Sequence, residues 1–344
     1  MLQVFVYEFL TAGGCWSLGN EPPAGSLLAE GRAMRHALAS DFATMKNVAA
    51  VQLLNDARLP LPEIEKQHFH VVQSAADEMQ LFRELAATAD ATIVIAPEFS
   101  SLLLQRVLLA EQVKARLISP SSELVRLAAD KTQLVDHLAA NRIGVPSGIR
   151  FSNELPQHFE VDFPAILKPN DGAGSTHVQS INSLHQLKQS DFSRAECWRL
   201  ERYVPGTSVS VAFLAEPGGI FALQPCAQHL SNDGQFTYLG GSTPLPAALA
   251  ERAKRLALKV AKVLPSPRGY MGIDMVLGSA ENGSEDFVIE INPRLTTSYL
   301  GLRQACEQNL AEAMWKCARG ESISLTFRNQ KIEFTPSRIA PPTR

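Results

Sequence analysis

Two short apolar runs, Gly272–Leu277 (GIDMVL) and Asp286–Asn292 (DFVIEIN), are joined by a polar stretch, and three oxygen-bearing side chains interrupt them: Asp274, Glu290 and Asn292. The runs read as the strands of a hairpin. Side chains two apart on a strand leave the same face, so Glu290 and Asn292 point together. Antiparallel pairing brings Asp274 beside them. Asp274 alone could be a satisfied buried acid, but buried charges need partners, and three polar side chains in apolar strands favour a shared ligand. Two carboxylates and an amide oxygen suit a hard dication, Mg²⁺ or Mn²⁺, with positions left for phosphate oxygens. Arg294 follows directly, and its guanidinium matches phosphate.

The 344 residues exceed one typical domain. At the N-terminus, strand-like runs at 3–7, 49–54, 68–73 and 91–96 alternate with helical spacing at 27–42, 77–85 and 101–114, and a last short strand is expected at 116–118. This predicts a doubly wound parallel sheet over 1–118, an α/β arrangement. Ligands of such sheets lie beyond the carboxyl ends of the strands, which nominates Glu8, Gly13, Gly14 and Glu98 as substrate-facing. Gly13-Gly14 is equally a tight turn, and its spacing is not that of a dinucleotide fingerprint.

The remainder reads as α+β. Over 119–199, a helix carrying Asp130-Lys131 runs to about Asn141, and an apolar strand delivers Lys168 ahead of Gly172-Ala-Gly174-Ser175. Glycines let backbone N–H groups close on phosphate, and a nearby lysine adds positive charge. Over 200–325, a strand at 197–203 breaks at Val204-Pro-Gly206, which offers a backbone edge to an adenine ring. Strands follow at 208–214, 221–228 and 236–239, with a turn at Gly240-Gly241. Then come an amphipathic helix at 247–263, the acidic hairpin and a helix over 296–319. Thr296 and Ser298, just past the metal strand, either orient substrate or cap that helix. An edge strand is expected at 323–327, and 326–344 reads as a tail.

Net charge is −3, so there is no basic footprint for nucleic acid. The five cysteines are scattered without a C-x-x-C pair, which argues for a reducing compartment. No apolar stretch approaches the ~18 residues of a bilayer span. The expectation is a cytoplasmic protein acting on small molecules; a homodimer is an allowed assembly.

The Asp130-Lys131 helix, the Lys168 strand with its glycine loop, the Glu201–Gly206 hinge, Asp274 and Glu290-x-Asn292-x-Arg294 together resemble the ATP-grasp superfamily of carboxylate–amine ligases. The resemblance covers about 119–320. It implies ATP as cosubstrate with Mg²⁺ or Mn²⁺ at Asp274, Glu290 and Asn292. Lys131 and Lys168 would meet the phosphates, and the Gly172–Ser175 loop would close over them. Glu201 would take the adenine amino group, with the Arg202 carbonyl and Val204 amide at the ring edge. Arg294 would neutralise the transferring phosphoryl group, which with Lys168 makes it the expected catalytic cation. Many relatives carry a ribose-binding acid where this chain has Ser208. VYEFLTAGG, Glu30-Gly31, Ala96-Pro-Glu98, Tyr238-Leu-Gly-Gly241 and EINPRLTTSYLGL are similar to the tyramine–glutamate ligase branch, which serves the furan-type one-carbon carrier of methanogens. That likeness implies an amide formed from glutamate and tyramine, tyrosine or a related amine through an acyl phosphate. A phosphotransferase and a non-catalytic nucleotide-binding regulator stay open as alternatives.

Overall fold

A computed structural model describes residues 1–336, apart from 153, 173–175, 217 and 218. It contains three sheets. The first is built from β1 (Leu2–Glu8), α1 (Gly25–Thr44), β2 (Val48–Asp56), β3 (Gln67–Val72), α2 (Ala75–Thr88), β4 (Ala91–Ile95) and α3 (Leu102–Gln112). All its pairs are parallel, in the order β3-β2-β1-β4. Alternation along β1 divides the helices between the faces. Val4 and Val6 pack with the α1 side chains Met34, Leu38 and Phe42. Phe5 and Tyr7 face Phe82 of α2 and Leu103 and Val107 of α3. The short strand expected at 116–118 is reduced to a single bridge, Thr92 to Leu117.

The helix expected to carry Asp130-Lys131 is two helices, α4 (Ser122–Ala129) and α5 (Lys131–Ala140). Asp130 is extended and caps α5, its carboxylate accepting from the Thr132 and Gln133 amides. A carboxylate that satisfies the orphan amides of a helix start favours a break at its own position. Lys131 is therefore the first residue of α5, at a corner instead of on a continuous face.

The second sheet pairs β5 (Gly148–Phe151), β8 (Trp198–Arg202), β6 (Ala165–Pro169) and β7 (Gln179–Ile181) antiparallel, with the short α6 (Leu184–Lys188) beside it. Its small core is separate, made by Phe151, Leu167, Ile181, Trp198 and Leu200.

The third sheet runs β14-β13-β9-β11-β12-β15, with β10 also on β9. Its strands are β9 (Thr207–Glu216), β10 (Gly219–Ala222), β11 (Cys226–Leu230), β12 (Tyr238–Thr243), β13 (Gly269–Leu277), β14 (Phe287–Asn292) and β15 (Ile332–Phe334). On one face lies α7 (Ala247–Ala261), sharing a core with α4 and α5. On the other lie α8 (Tyr299–Ala305) and α9 (Leu310–Ala318), whose core is continuous with α1 of the first sheet.

Four further expectations change. The run at 221–228 splits into β10 and β11, and the helix expected over 296–319 breaks at Cys306–Asn309, where Asn309 caps α9. Gly240 and Gly241 lie inside β12 and do not form a turn; a Cβ at Gly241 would overlap the Phe334 ring. The edge strand is β15 at 332–334, not 323–327, because this is where Phe334 reaches the space left by Gly241 and Gly301.

Candidate active site

The acidic hairpin forms as its sequence dictates. β13 and β14 pair antiparallel with Asp274 opposite Glu290 and Gly272 opposite Asn292. Asn292 Nδ2 donates to Asp274 Oδ2 at 2.9 Å, and Gln228 Nε2 of β11 donates to Asp274 Oδ1 at 2.9 Å. Burial, and after it the charge of Glu290, pushes the Asp274 carboxyl up to about 7, against the hydrogen bonds from Asn292 and Ser210. Two carboxylates forced together across a strand pair are relieved by a cation between them, so this donor set fits a hard dication.

Three cations surround the hairpin, and each meets a carboxylate. Lys131 Nζ lies 3.0 Å from Glu290 Oε1 and donates to the Gly172 carbonyl at 2.6 Å. Lys168 of β6 meets Glu201 of β8 at 2.5 Å, and the other oxygen of Glu201 takes Arg199 Nε at 2.9 Å. Arg294 forms a two-pronged pair with Glu98, at 2.8 and 3.1 Å. Burial works against the Arg294 charge, but Glu98, with Glu30 and Glu290 beyond it, raises its pKa above the ordinary value.

A cleft opens between the second and third sheets. Lys131, Lys168, Gly172, Glu201, Asp274 and Glu290 supply its polar wall, while Ile166, Val204, Met275 and Ile289 supply apolar surface. Arg202, Tyr203 and Ser208 also line it. Between β8 and β9 the chain passes so close to β13 that a Cβ at Gly206 would meet the Leu277 carbonyl, and Gly206 holds a φ of 154° that favours glycine. That approach sets the hinge segment at the mouth of the cleft. An apolar wall, a buried carboxylate and a backbone edge, with lysines leading to paired acids, match the needs of a purine base followed by a polyphosphate.

A second cavity adjoins the first and shares Gln228, Leu230, Asp274 and Glu290 with it. Asn292, Arg294, Thr296, Thr297 and Ser298 continue its wall. Tyr238 and Phe334 give it aromatic surface, and Glu30 of α1 reaches in from the first sheet. Thr296 and Ser298 hydrogen-bond each other at 2.7 Å and share the buried Tyr270 hydroxyl, each at 3.2 Å. Ser298 makes no side-chain cap to α8, so these hydroxyls shape the cavity and do not stop a helix.

The expected residues thus divide. Lys131, Lys168, Gly172, Glu201, Arg202, Val204, Asp274, Glu290, Asn292, Arg294, Thr296 and Ser298 line one cavity or the other, and Glu98 arrives through Arg294. Gly174 and Ser175 lie outside the described residues. Glu8, Gly13 and Gly14 line neither cavity. The Glu8 carboxylate is 2% exposed and engaged by the Thr11 amide and hydroxyl at 2.9 and 2.6 Å, so it ties the turn after β1. Gly13 packs on Val72 and Gly14 on Phe9. Sequence reasoning did not find Gln228, Arg199, Tyr238 and Phe334 in the site, and it used Glu30 only for likeness. Gln228 alone had a signal, a polar side chain in a short strand-like run.

A pre ATP-grasp 3 domain model matches residues 49–125, and an ATP-grasp domain model matches residues 128–298. The chain is 25% identical over 335 residues to the tyramine–L-glutamate ligase of Methanocaldococcus fervens, covering 97% of this chain and 99% of the relative. The tyramine–L-glutamate ligase of Methanocaldococcus jannaschii is 23% identical over 71% of this chain and 67% of its own length. A D-alanine–D-alanine ligase of Caulobacter sp. is 28% identical over 43% of this chain and 49% of its own. Among solved structures, an ATP-grasp superfamily protein from Archaeoglobus fulgidus superposes with a TM-score of 0.68 at 21% identity, covering 94% of this chain and 89% of that one. The L-amino acid ligase of Bacillus licheniformis gives 0.67 at 13% identity, over 92% and 74%. These structures share the fold, with its N-terminal sheet.

Proposed function

Since this chain belongs to the ATP-grasp superfamily of carboxylate–amine ligases, we propose that it joins the γ-carboxyl of glutamate to tyramine or a closely related aryl amine, with ATP split to ADP and phosphate. Likeness to tyramine–L-glutamate ligase along nearly the whole chain supports this pair of substrates. So does a substrate cavity with a polar, charged end and aromatic surface from Tyr238 and Phe334. In this reading the product serves the assembly of a methanofuran-type one-carbon carrier.

The observation that carries the ligase reading is the shared wall. Asp274 and Glu290 belong to both the nucleotide-shaped cleft and the second cavity, with Arg294 on the substrate side. A carboxylate in the second cavity therefore meets a γ-phosphate in the first across the acidic hairpin. Its oxygen bonds to phosphorus as the bond to the ADP oxygen breaks. The amine lone pair then attacks the acyl carbon, the carbon–oxygen bond to phosphate breaks, and nitrogen loses a proton. Asp274, Glu290 and Asn292 would hold Mg²⁺ or Mn²⁺, which supplies neutralising charge to the phosphates. Lys131 and Lys168 exchange their carboxylate partners for phosphate oxygens. Glu201, freed of Lys168 and still fixed by Arg199, accepts from the adenine amino group. Arg294, aimed by Glu98, faces the charge that develops on the transferring group.

The test is ADP release with glutamate and tyramine, together with hydroxylamine trapping. Glutamate-dependent hydroxamate with ADP is expected. A stable phosphorylated product with no amide formed would make the protein a phosphotransferase.

A further inference from the structure

Most carboxyl groups of the substrate cavity have a partner that accounts for them. Glu290 faces Lys131, Asp274 receives Asn292 and Gln228, and Glu98 behind the wall holds Arg294. Glu30 is different. Its half-buried carboxylate, in the second turn of α1, accepts from the Thr297 hydroxyl at 3.2 Å. Among the described residues it has no ion-pair partner. A carboxylate withdrawn from water calls for a cation. Burial holds the pKa of Glu30 above its ordinary value, with the charge of Arg294 and the Thr297 hydrogen bond offsetting part of the rise. The acid lines the same cavity as the guanidinium at which, in the ligase reading, the acyl phosphate forms. Thr297, next to the Thr296–Ser298 pair, steadies its carboxylate.

We infer that Glu30 binds the ammonium group of the incoming amine and sets its nitrogen beside the acyl phosphate, where the ammonium gives one proton to water and so frees the lone pair that attacks; this makes Glu30 a specificity-determining residue for cationic amines. This assignment rests on the ligase reading above. The α-ammonium of glutamate is the other cation to consider. It is separated from the reacting γ-carboxyl by the glutamate side chain, whereas the attacking nitrogen must reach the acyl carbon itself. Glu30 stands close to Arg294, so the geometry favours the attacking amine. Aromatic surface from Tyr238 and Phe334 in the same cavity lets the ring of an aryl ethylamine pack while its ammonium meets Glu30.

The test uses the full chain with Mg–ATP, glutamate and two nucleophiles, tyramine as the cation and hydroxylamine as an uncharged amine. Native protein and Glu30→Gln are compared, with melting temperature as the check on folding and Glu30→Asp as the conservative variant. The expected result for Glu30→Gln is a KM for tyramine raised about 10- to 100-fold, the worth of a charge-assisted hydrogen bond. The KM for glutamate and the rate of hydroxamate formation stay within about twofold, and Glu30→Asp recovers part of the tyramine effect. A tyramine KM that does not move, or a glutamate KM that rises in its place, overturns the assignment while leaving the ligase reading intact. Native protein that forms no hydroxamate overturns the ligase reading and this assignment with it.

Discussion

The ion pairs of the site are not equally replaceable, and burial decides the order. The Glu290 side chain keeps 24% exposure, and its partner Lys131, at 8%, still donates to the Gly172 carbonyl, so Glu290→Gln leaves a neutral group at a wet edge and no bare cation. Its stability cost should stay within about 0.5 kcal/mol, while turnover falls about 10²–10³-fold. Arg294 is different, because Glu98 beneath it is only 3% exposed. Arg294→Ala strands that carboxylate and should cost about 3–5 kcal/mol in addition to activity. The double variant with Glu98→Ala should regain much of the stability and none of the turnover, which chemical denaturation and ADP release measure separately. Asp274 supplies the pH dependence. Its carboxyl is raised to about 7, so the folded state binds its proton more tightly than the unfolded chain does. Its contribution to stability is whole below its unfolded value of about 4 and fades as pH rises through 7. In chelator, the native melting temperature should fall across that window, and Asp274→Asn should show a shallower fall; parallel profiles would refute the assignment.

At the scale of elements, the Asp130 cap governs more than a helix end. Its carboxylate holds the α5 amides and also accepts from Asn170 Nδ2 at 2.9 Å, at the end of β6. It thereby fixes the corner from which Lys131 reaches Glu290 and Gly172. Asp130→Ala should cost about 1 kcal/mol in a thermal or denaturant melt. It should also raise KM for ATP, with little change in that for the amine. Much of this level is legible in the sequence, where periodicity is local. β1 to β4, α7 and the acidic hairpin follow from runs and turns, and antiparallel pairing of that hairpin put Asp274 beside Glu290. The losses have a common physical cause. Asp130 and Asn309 interrupt helices because each side chain satisfies amides that a continuing helix would bond. Gly240 and Gly241 read as a turn by composition, yet they lie within β12, where Gly241 stays bare for the ring of Phe334, 93 residues beyond it, and Gly240 for the Phe334 carbonyl. Glu30 and Phe334 enter the substrate cavity through tertiary packing, and no spacing rule connects them to the motifs they serve.

The whole molecule is held across its long sequence separations by polar ties. Asp41 of α1 accepts from the Tyr299 hydroxyl at 2.6 Å and from Arg303 at 2.9 and 2.5 Å, while Asn309 donates to the Asp41 carbonyl. Asp41→Ala leaves a buried tyrosine hydroxyl and an arginine without their shared acceptor. A loss of about 3–5 kcal/mol is expected in a denaturant melt. The KM for the amine should rise more than that for ATP, because Glu30 lies on the same helix and the nucleotide cleft does not. If both constants rise equally, α1 does not position the acceptor side. The Glu30–Thr297 and Glu98–Arg294 contacts cross the same boundary. They bear on recombination. The N-terminal sheet looks like an exchangeable module, and a crossover near residue 120 would suit a chimera of two relatives. Yet that cut separates Glu98 from Arg294, Asp41 from Arg303 and Glu30 from Thr297. A hybrid with new substrate preference therefore has to carry α1, the segment after β4 and residues 294–303 from the same parent.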